Sequence, residues 1–406
     1  MSPNEQILPY PLAYETALDP PAEWAELRSK CPVATVTVPD GSQAKLLTRY
    51  DDVKEMLADP RFTRPDLMGG SGDSQEASAT SAAANTSSSP FSVPKHGEDH
   101  QRWRRMVGKW FTAKRMAALR PQMVAIADQL LDEMTGRGSS GDLKAHLAFP
   151  LPVYVICDML GVPAEDRNLI SYWSDNFLNL TRYSAQERQA AVGEFAAYMS
   201  GHIAAKRTEP ADDLLSALIE ESSGEGEALT DAELLGTGMG LLVAGHETTA
   251  NMIGKMVTML LADRARWERL LENPSLVRST VEEALRFDVK GGFGLRRHLT
   301  EDVEIGGEVL PHGTTVVCAM AAPNRDETAF ANAAEMDLAR TPNPHLAFGA
   351  GPHSCLGQAL ARTELQATLE VLLRRLPSLE LDIPATDLER LEGLLVGGLR
   401  EVPVRW

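Results

Sequence analysis

FGAGPHSCLG, residues 348–357, is the stretch on which the reading of this chain turns. Its glycines, Gly349, Gly351 and Gly357, let the backbone approach a flat ligand where a Cβ would collide. Cys355 stands where the loop gives way to the helical run QALARTELQATLEVLLRRL. A sulfur at that junction faces unpaired helix N–H groups and the positive end of the dipole, and both favour thiolate over thiol. A lone cysteine is by default a small core residue. The glycine frame is what makes Cys355 a candidate iron ligand.

Working outward, Thr230 with Glu233 forms a capping-box pattern, and an apolar-rich run from Leu234 to about Leu261 predicts a helix long enough to cross a domain. Near its middle, AGHETT (residues 244–249) sets an ionisable pair in apolar surroundings. Helical spacing with few internal glycines or prolines extends from His100 to about Phe287, so the protein is expected to be mainly α. Before it, VATVTV and AKLLT, parted by Pro39, Asp40 and Gly41, predict a hairpin, and residues 51–58 a short helix. After it come short strand-like pieces such as VEIGG and TTVVCAM. An amphipathic helix over 356–376 follows, then short strands again. Residues 69–90, GGSGDSQEASATSAAANTSSSP, are too poor in large apolar side chains to offset their ordering entropy and predict a surface loop.

Composition narrows the function. With 39 basic and 57 acidic residues the net charge is -18, which argues against a general nucleic-acid binder. The four cysteines, Cys31, Cys157, Cys318 and Cys355, form no CxxC or CxxCH, so neither a disulfide framework nor covalent heme attachment is expected. That usage points to the reducing cytoplasm. No apolar run long enough for a signal peptide or a membrane span is read. Nor is there a cysteine cluster for an iron–sulfur centre.

FGAGPHSCLG resembles the heme-binding loop of the cytochrome P-450 superfamily. AGHET, EALR (residues 283–286) and RTPNPHLAFG from Arg340 reinforce the resemblance in the expected order. It runs from about Thr35 to the C-terminus and is weakest in the loop from Gly69 to Glu98. The likeness implies a single mainly α domain with small β-sheets over residues 1–406. It also implies heme b between the central helix and the cysteine loop, with Cys355 as the axial ligand. Phe348, Gly349 and Gly357 would frame that ligand. His100, Arg104, Arg297 and His353 would hold the heme propionates, Arg296 being the neighbouring alternative to Arg297. KHGEDH, residues 95–100, departs from the family pattern ahead of His100.

By the same resemblance Glu247 and Thr248 would be the acid and alcohol that pass protons toward dioxygen, the co-substrate. Glu283, Arg286 and Arg340 would form a buried structural network. Val243, Ala244, Phe293, Leu395 and Val396 would wall a substrate pocket, with residues 69–90 as its lid. The expected reaction is insertion of one oxygen atom into a sizeable organic substrate of bacterial secondary metabolism. Electrons would pass from NAD(P)H through ferredoxin reductase and ferredoxin to a monomeric enzyme. Between His100 and Ala127 there is no carboxylate, while Arg102, Arg104, Arg105, Lys109, Lys114, Arg115 and Arg120 offer a face that can steer such an acidic donor. Two other classes compete: a coupling or ring-forming heme enzyme that inserts no oxygen, and a heme-thiolate sensor. The AGHET pair speaks against the sensor, which needs no proton relay.

Overall fold

The structure, a computed structural model, describes residues 7–64, 93–94, 96–178, 182–222, 228–289, 294–391 and 397–406. Its helices in chain order are α1 (Glu23–Lys30), α2 (Tyr50–Ala58), α3 (Gly97–Gly108), α4 (Ala113–Thr135), α5 (Pro150–Met159) and α6 (Arg167–Leu178). They continue with α7 (Ala185–Thr208), α8 (Leu214–Glu221), α9 (Asp231–Leu261), α10 (Arg264–Glu272), α11 (Val277–Phe287) and α12 (Gln358–Arg375). A π-helical turn, Lys144–Ala148, runs into α5, whose first residue is Pro150. Proline suits that position because its missing N–H would have no helical partner there.

The strands are short. β1 (Leu8–Pro9), β2 (Val33–Thr37), β3 (Gln43–Leu47), β4 (Phe62–Thr63), β6 (Leu295–Leu299) and β9 (Thr315–Cys318) form one sheet in the order β1-β2-β3-β9-β6-β4. β5 (Ser140–Asp142), β10 (Glu380–Leu381) and β13 (Pro403–Arg405) form a second. Two ribbons pair β7 (Val303–Ile305) with β8 (Glu308–Leu310) and β11 (Arg390–Leu391) with β12 (Gly398–Leu399). The expected hairpin is the β2–β3 pair, with Val33 opposite Leu47 and Thr37 opposite Gln43.

The axis of the fold is α9. Thr230 Oγ1 accepts from the Glu233 N–H at 3.2 Å, and Glu233 Oε2 accepts from the Thr230 N–H at 2.7 Å. Those two bonds satisfy backbone donors that a helix start otherwise leaves open. From Thr249 onward every residue of α9 is buried, as befits a helix enclosed on all sides. The amphipathic pattern expected for α12 is not what forms. Glu364, Leu365, Ala367, Thr368, Leu369, Val371, Leu372 and Leu373 are all buried, because α12 runs between α4, α9 and α11. Among the described residues no helix is long and apolar enough to cross a membrane. The low-complexity segment 69–90 and pocket residues Phe293, Leu395 and Val396 lie outside the described residues.

Candidate active site

Cys355 lies between a short 3-10 turn, Gly351–His353, and Gly357, the cap of α12. Its N–H donates to Phe348 O at 2.7 Å and closes the loop. Gly349 turns the chain with φ 71°, in the left-handed region that favours glycine. Gly351, at φ 67°, serves a different purpose from the one expected. A Cβ there would lie 2.6 Å from Leu57 O, so this glycine lets the loop dock on the end of α2 rather than on a ligand. At Gly357 an added Cβ would meet nothing within 4 Å. Behind the sulfur-bearing loop, the Arg362 guanidinium lies over the Phe348 ring at 4.5 Å and donates to Glu282 at 2.8 Å. Burial pushes the Glu282 carboxyl up, but hydrogen bonds from His345 and Arg362 outweigh it and hold the carboxyl at about 2.

A cluster of basic side chains faces the same loop. His100, 5% exposed on α3, packs 4.4 Å from the His353 ring. One turn further on, Arg104 donates to the Ser354 carbonyl and to Ser354 Oγ. Arg297 on β6 is buried, while its neighbour Arg296 turns outward to Asp40 at 3.3 Å, so alternation along the strand selects Arg297. Arg64, directly after β4, and His96, whose ring lies 5.9 Å from that of His353, join them. Neither was identified from sequence. Arg64 borders a stretch without periodicity, and His96 lies in KHGEDH, where the family pattern is broken.

None of Arg64, His100, Arg104, Arg297 and His353 pairs with a carboxylate among the described residues. The electrostatics record the strain. Burial, then Arg64, His100, Arg297 and His96, push His353 down to about 3. Burial and Arg64 lower Arg297 to about 10. His353 Nδ1 is buried with no hydrogen-bond partner. Three arginines and neighbouring histidines converging without an acid among the described residues make a site for a multiply charged anion, and the two carboxylates of a heme supply one.

Opposite runs α9. Ala244 and Thr248 are exposed in mid-helix, one turn apart, and Val243 beside them is buried. Thr248 Oγ1 donates to Ala244 O at 2.8 Å, which leaves its oxygen able to accept. Gly245 admits α5, since a Cβ there would sit 3.0 Å from Ile156 Cγ1. Glu247 is 4% exposed, and its Oε1 accepts from Asn251 Nδ2 at 2.9 Å. Burial raises its pKa, against the opposing pull of Lys144 and Asn251. The acid therefore faces inward, and sequence reading missed its partners Asn251 and Lys144. Asn251 stands at i+4 on the same helix, a spacing that offers a signal.

Glu283 and Arg286 are both fully buried on α11. The Glu283 carboxylate accepts from Arg286 at 2.7 and 2.8 Å, from Arg340 at 3.0 and 3.1 Å, from Asn343 at 3.0 Å and from the Asp337 N–H at 2.8 Å. Arg286 also donates at 2.8 Å to the carbonyls of Asn324, Ala333 and Glu335. The expected basic face is less basic than its sequence. Arg102 pairs with Glu233, Lys109 with Glu221 at 3.1 Å and Arg120 with Glu370, so acids distant in sequence neutralise much of it. Lys114 and Arg115 stay exposed, and Arg115 stacks on Trp110 at 3.8 Å.

Comparison with known proteins places this geometry. The cytochrome P-450 family pattern matches residues 166–395. The mycinamicin IV hydroxylase/epoxidase of Micromonospora griseorubida is 40% identical over 398 residues, covering 98% of each chain. The nocardicin C N-oxygenase of Nocardia uniformis subsp. tsuyamanensis shows the same identity and coverage. Among solved structures, the LnmA hydroxylase of the leinamycin pathway of Streptomyces atroolivaceus aligns with TM-score 0.88 at 37% identity, over 98% of this chain and 100% of that one. SgvP, a candidate thioether synthase of the griseoviridin tailoring step, aligns with TM-score 0.89 at 36% identity, over 99% and 100%. Such enzymes carry a heme-thiolate iron, use dioxygen and draw NAD(P)H-derived electrons through redox partners. Matched by these relatives over nearly its whole length, the chain is an oxidoreductase that belongs to the cytochrome P-450 family.

Proposed function

We propose that this enzyme inserts one oxygen atom from dioxygen into a sizeable organic substrate of bacterial secondary metabolism, with electrons delivered by a ferredoxin. The observation that carries the reading is the mid-helix exposure of Ala244 and Thr248 on the otherwise largely buried α9, with Glu247 buried beside them, in a chain that also carries the glycine-framed Cys355 loop. Relatives named for hydroxylation, epoxidation and N-oxygenation support it. The balance is substrate, O2, two protons and two electrons giving oxygenated product and water. Bound at Cys355, heme supplies the redox chemistry, and a thiolate ligand favours O–O cleavage.

The chain's own residues do the rest. Arg64, Arg104 and Arg297 would neutralise the carboxylates of a bound heme, and His100 and His353 would offer them hydrogen bonds. Thr248 offers a hydroxyl to the distal side and Glu247 a carboxyl behind it, so protons arrive singly and bulk water stays out. Val243 and Ala244 would wall the substrate space from α9. A low-salt encounter at Lys114, Arg115 and Trp110 orients the acidic donor. Charge reversal at Lys114 and Arg115 should slow reduction several-fold, most at low salt; an unchanged rate moves docking elsewhere. Reversal at Arg102 would confound that test by stranding Glu233.

Turnover under labelled dioxygen tests the central reading: a product one labelled oxygen heavier is expected. Loss of two hydrogens, or dimerisation, would favour the second reading, oxidative coupling or ring formation without oxygen insertion, which the likeness to SgvP supports. Cys355→Ser should abolish the red-shifted Soret band of the reduced carbon monoxide complex. Its persistence would overturn the axial assignment.

A further inference from the structure

Two buried lysines converge on the C-terminal turn from either side of Glu247. Lys144, 9% exposed in the π-helical turn, donates through Nζ to Leu399 O at 2.5 Å. Lys255, 6% exposed on α9, donates to Gly397 O at 3.1 Å and pairs with Asp288 at 2.8 Å. Between them Asn251 packs against Gly398 so tightly that a Cβ there would lie 2.2 Å from Asn251 Oδ1. The same Asn251 donates to Glu247. The chain of contacts thus runs from the Gly397–Leu399 backbone through Asn251 to the one carboxyl on α9 behind Thr248. A π-turn costs hydrogen-bond geometry and is often kept where a side chain must be re-aimed. Here it directs an ammonium into the core.

Lys255 is neutralised by Asp288, but Lys144 donates to a carbonyl and has no carboxylate in salt-bridge contact among the described residues. An ammonium buried without a counter-ion is costly unless an acid nearby carries charge. Burial lowers the Lys144 pKa, and Lys255 adds to that; Glu247 opposes it most, followed by Asp142 in its own segment and Asp175 on α6. His246, whose Nε2 lies 3.6 Å from Glu247 Oε2, is buried and pushed to about 4, so it remains neutral and supplies no competing cation.

We propose that Lys144 is a positioning residue for Glu247: anchored on the Leu399 carbonyl, its ammonium sets the charge and orientation of that carboxyl, so displacement of the C-terminal turn is felt at the proton-carrying acid. This rests on the relay role given to Glu247 above. It makes proton delivery responsive to whatever presses on the turn, and the expected pocket residues Leu395 and Val396 directly precede that turn in sequence.

The test uses heme-loaded enzyme at rest. The infrared carboxyl band that disappears in Glu247→Gln is followed against pH in wild type, Lys144→Gln and Lys144→Arg. Lys144→Gln keeps a donor for Leu399 O and loses the charge. The midpoint should rise by about one unit, a tenfold gain in proton affinity, and Lys144→Arg should restore it. Product formed per electron should fall in Lys144→Gln, and amide exchange over residues 397–402 should quicken in Lys144→Met. An unmoved midpoint in Lys144→Gln overturns the proposal. If Glu247→Gln leaves product per electron unchanged, the relay reading fails, while the midpoint still decides whether Lys144 acts on Glu247.

Discussion

Two charged clusters flank the cysteine loop, and they differ in one respect. Around Glu283 the charges balance from within: a fully buried carboxylate is held by Arg286, Arg340, Asn343 and a backbone N–H, and the donors left over reach carbonyls. Around His353 arginines and histidines gather without an acid among the described residues, and the site depresses its own proton affinities. A buried group with all its partners in the chain belongs to the structure. A buried group whose partners are missing from the chain awaits them from outside. Completeness of pairing, more than burial or charge count, separates scaffold from site here.

Breaking the balanced cluster should have the largest effect. Arg286→Ala takes two hydrogen bonds from Glu283 and leaves three carbonyls without their donor, and removal of one member of a buried pair costs about 3–5 kcal/mol. We expect poor recovery of folded protein and a much lower denaturant midpoint. A midpoint close to wild type would erase the distinction between the clusters.

Removing a member of the unbalanced cluster should do the reverse. Arg297→Ala takes away a cation whose neighbours repel it, so the heme-free protein should be as stable as wild type or more so. Heme affinity should fall, since a charge-assisted hydrogen bond is worth about 1.5–3 kcal/mol, or roughly 10- to 100-fold. Thermal unfolding without heme and heme transfer to a scavenger read the two sides separately. Loss of heme-free stability would place Arg297 with the scaffold.

The smallest effect sharpens the comparison through pH. His353 sits at about 3 in the folded protein against 6.5 unfolded, and His100 is lowered too. Below 6.5 the unfolded chain binds protons that the folded chain refuses, so heme-free stability should fall as pH drops from 6.5 toward 3 and stay flat above. With propionates in place these histidines gain anionic partners, and the slope between pH 7 and 5 should shrink. Equal slopes with and without heme would mean that no anion reaches His353.

The sequence was most readable where chemistry and local geometry coincide. Thr230 and Glu233 mark the start of α9 because a capping box is a local device. The i, i+3 spacing of Glu283 and Arg286 likewise announces a pair on one face. What stayed hidden depends on distant segments. Acids at Glu221, Glu233 and Glu370 cancel the basic run after His100. Gly245 makes room for Ile156, and Gly351 for the end of α2 rather than for a ligand. Arg64 reaches the cluster through the pairing of β4 with β6, which no spacing along the chain foretells.

That pairing carries a further consequence. Arg296 stands opposite Val317 and Arg297 opposite Val316 in the β6–β9 ladder, so which arginine looks inward is decided by register. A slip of one residue would turn the strand over, and Arg296 would take the inward place. The binding cluster would survive the error with its charge unchanged, whereas Leu295 and Leu299 would exchange faces with polar neighbours. Twin arginines thus make the anion site indifferent to a misalignment that the core rejects, and a single-residue deletion just before β6 should be punished through folding rather than through loss of positive charge at the site.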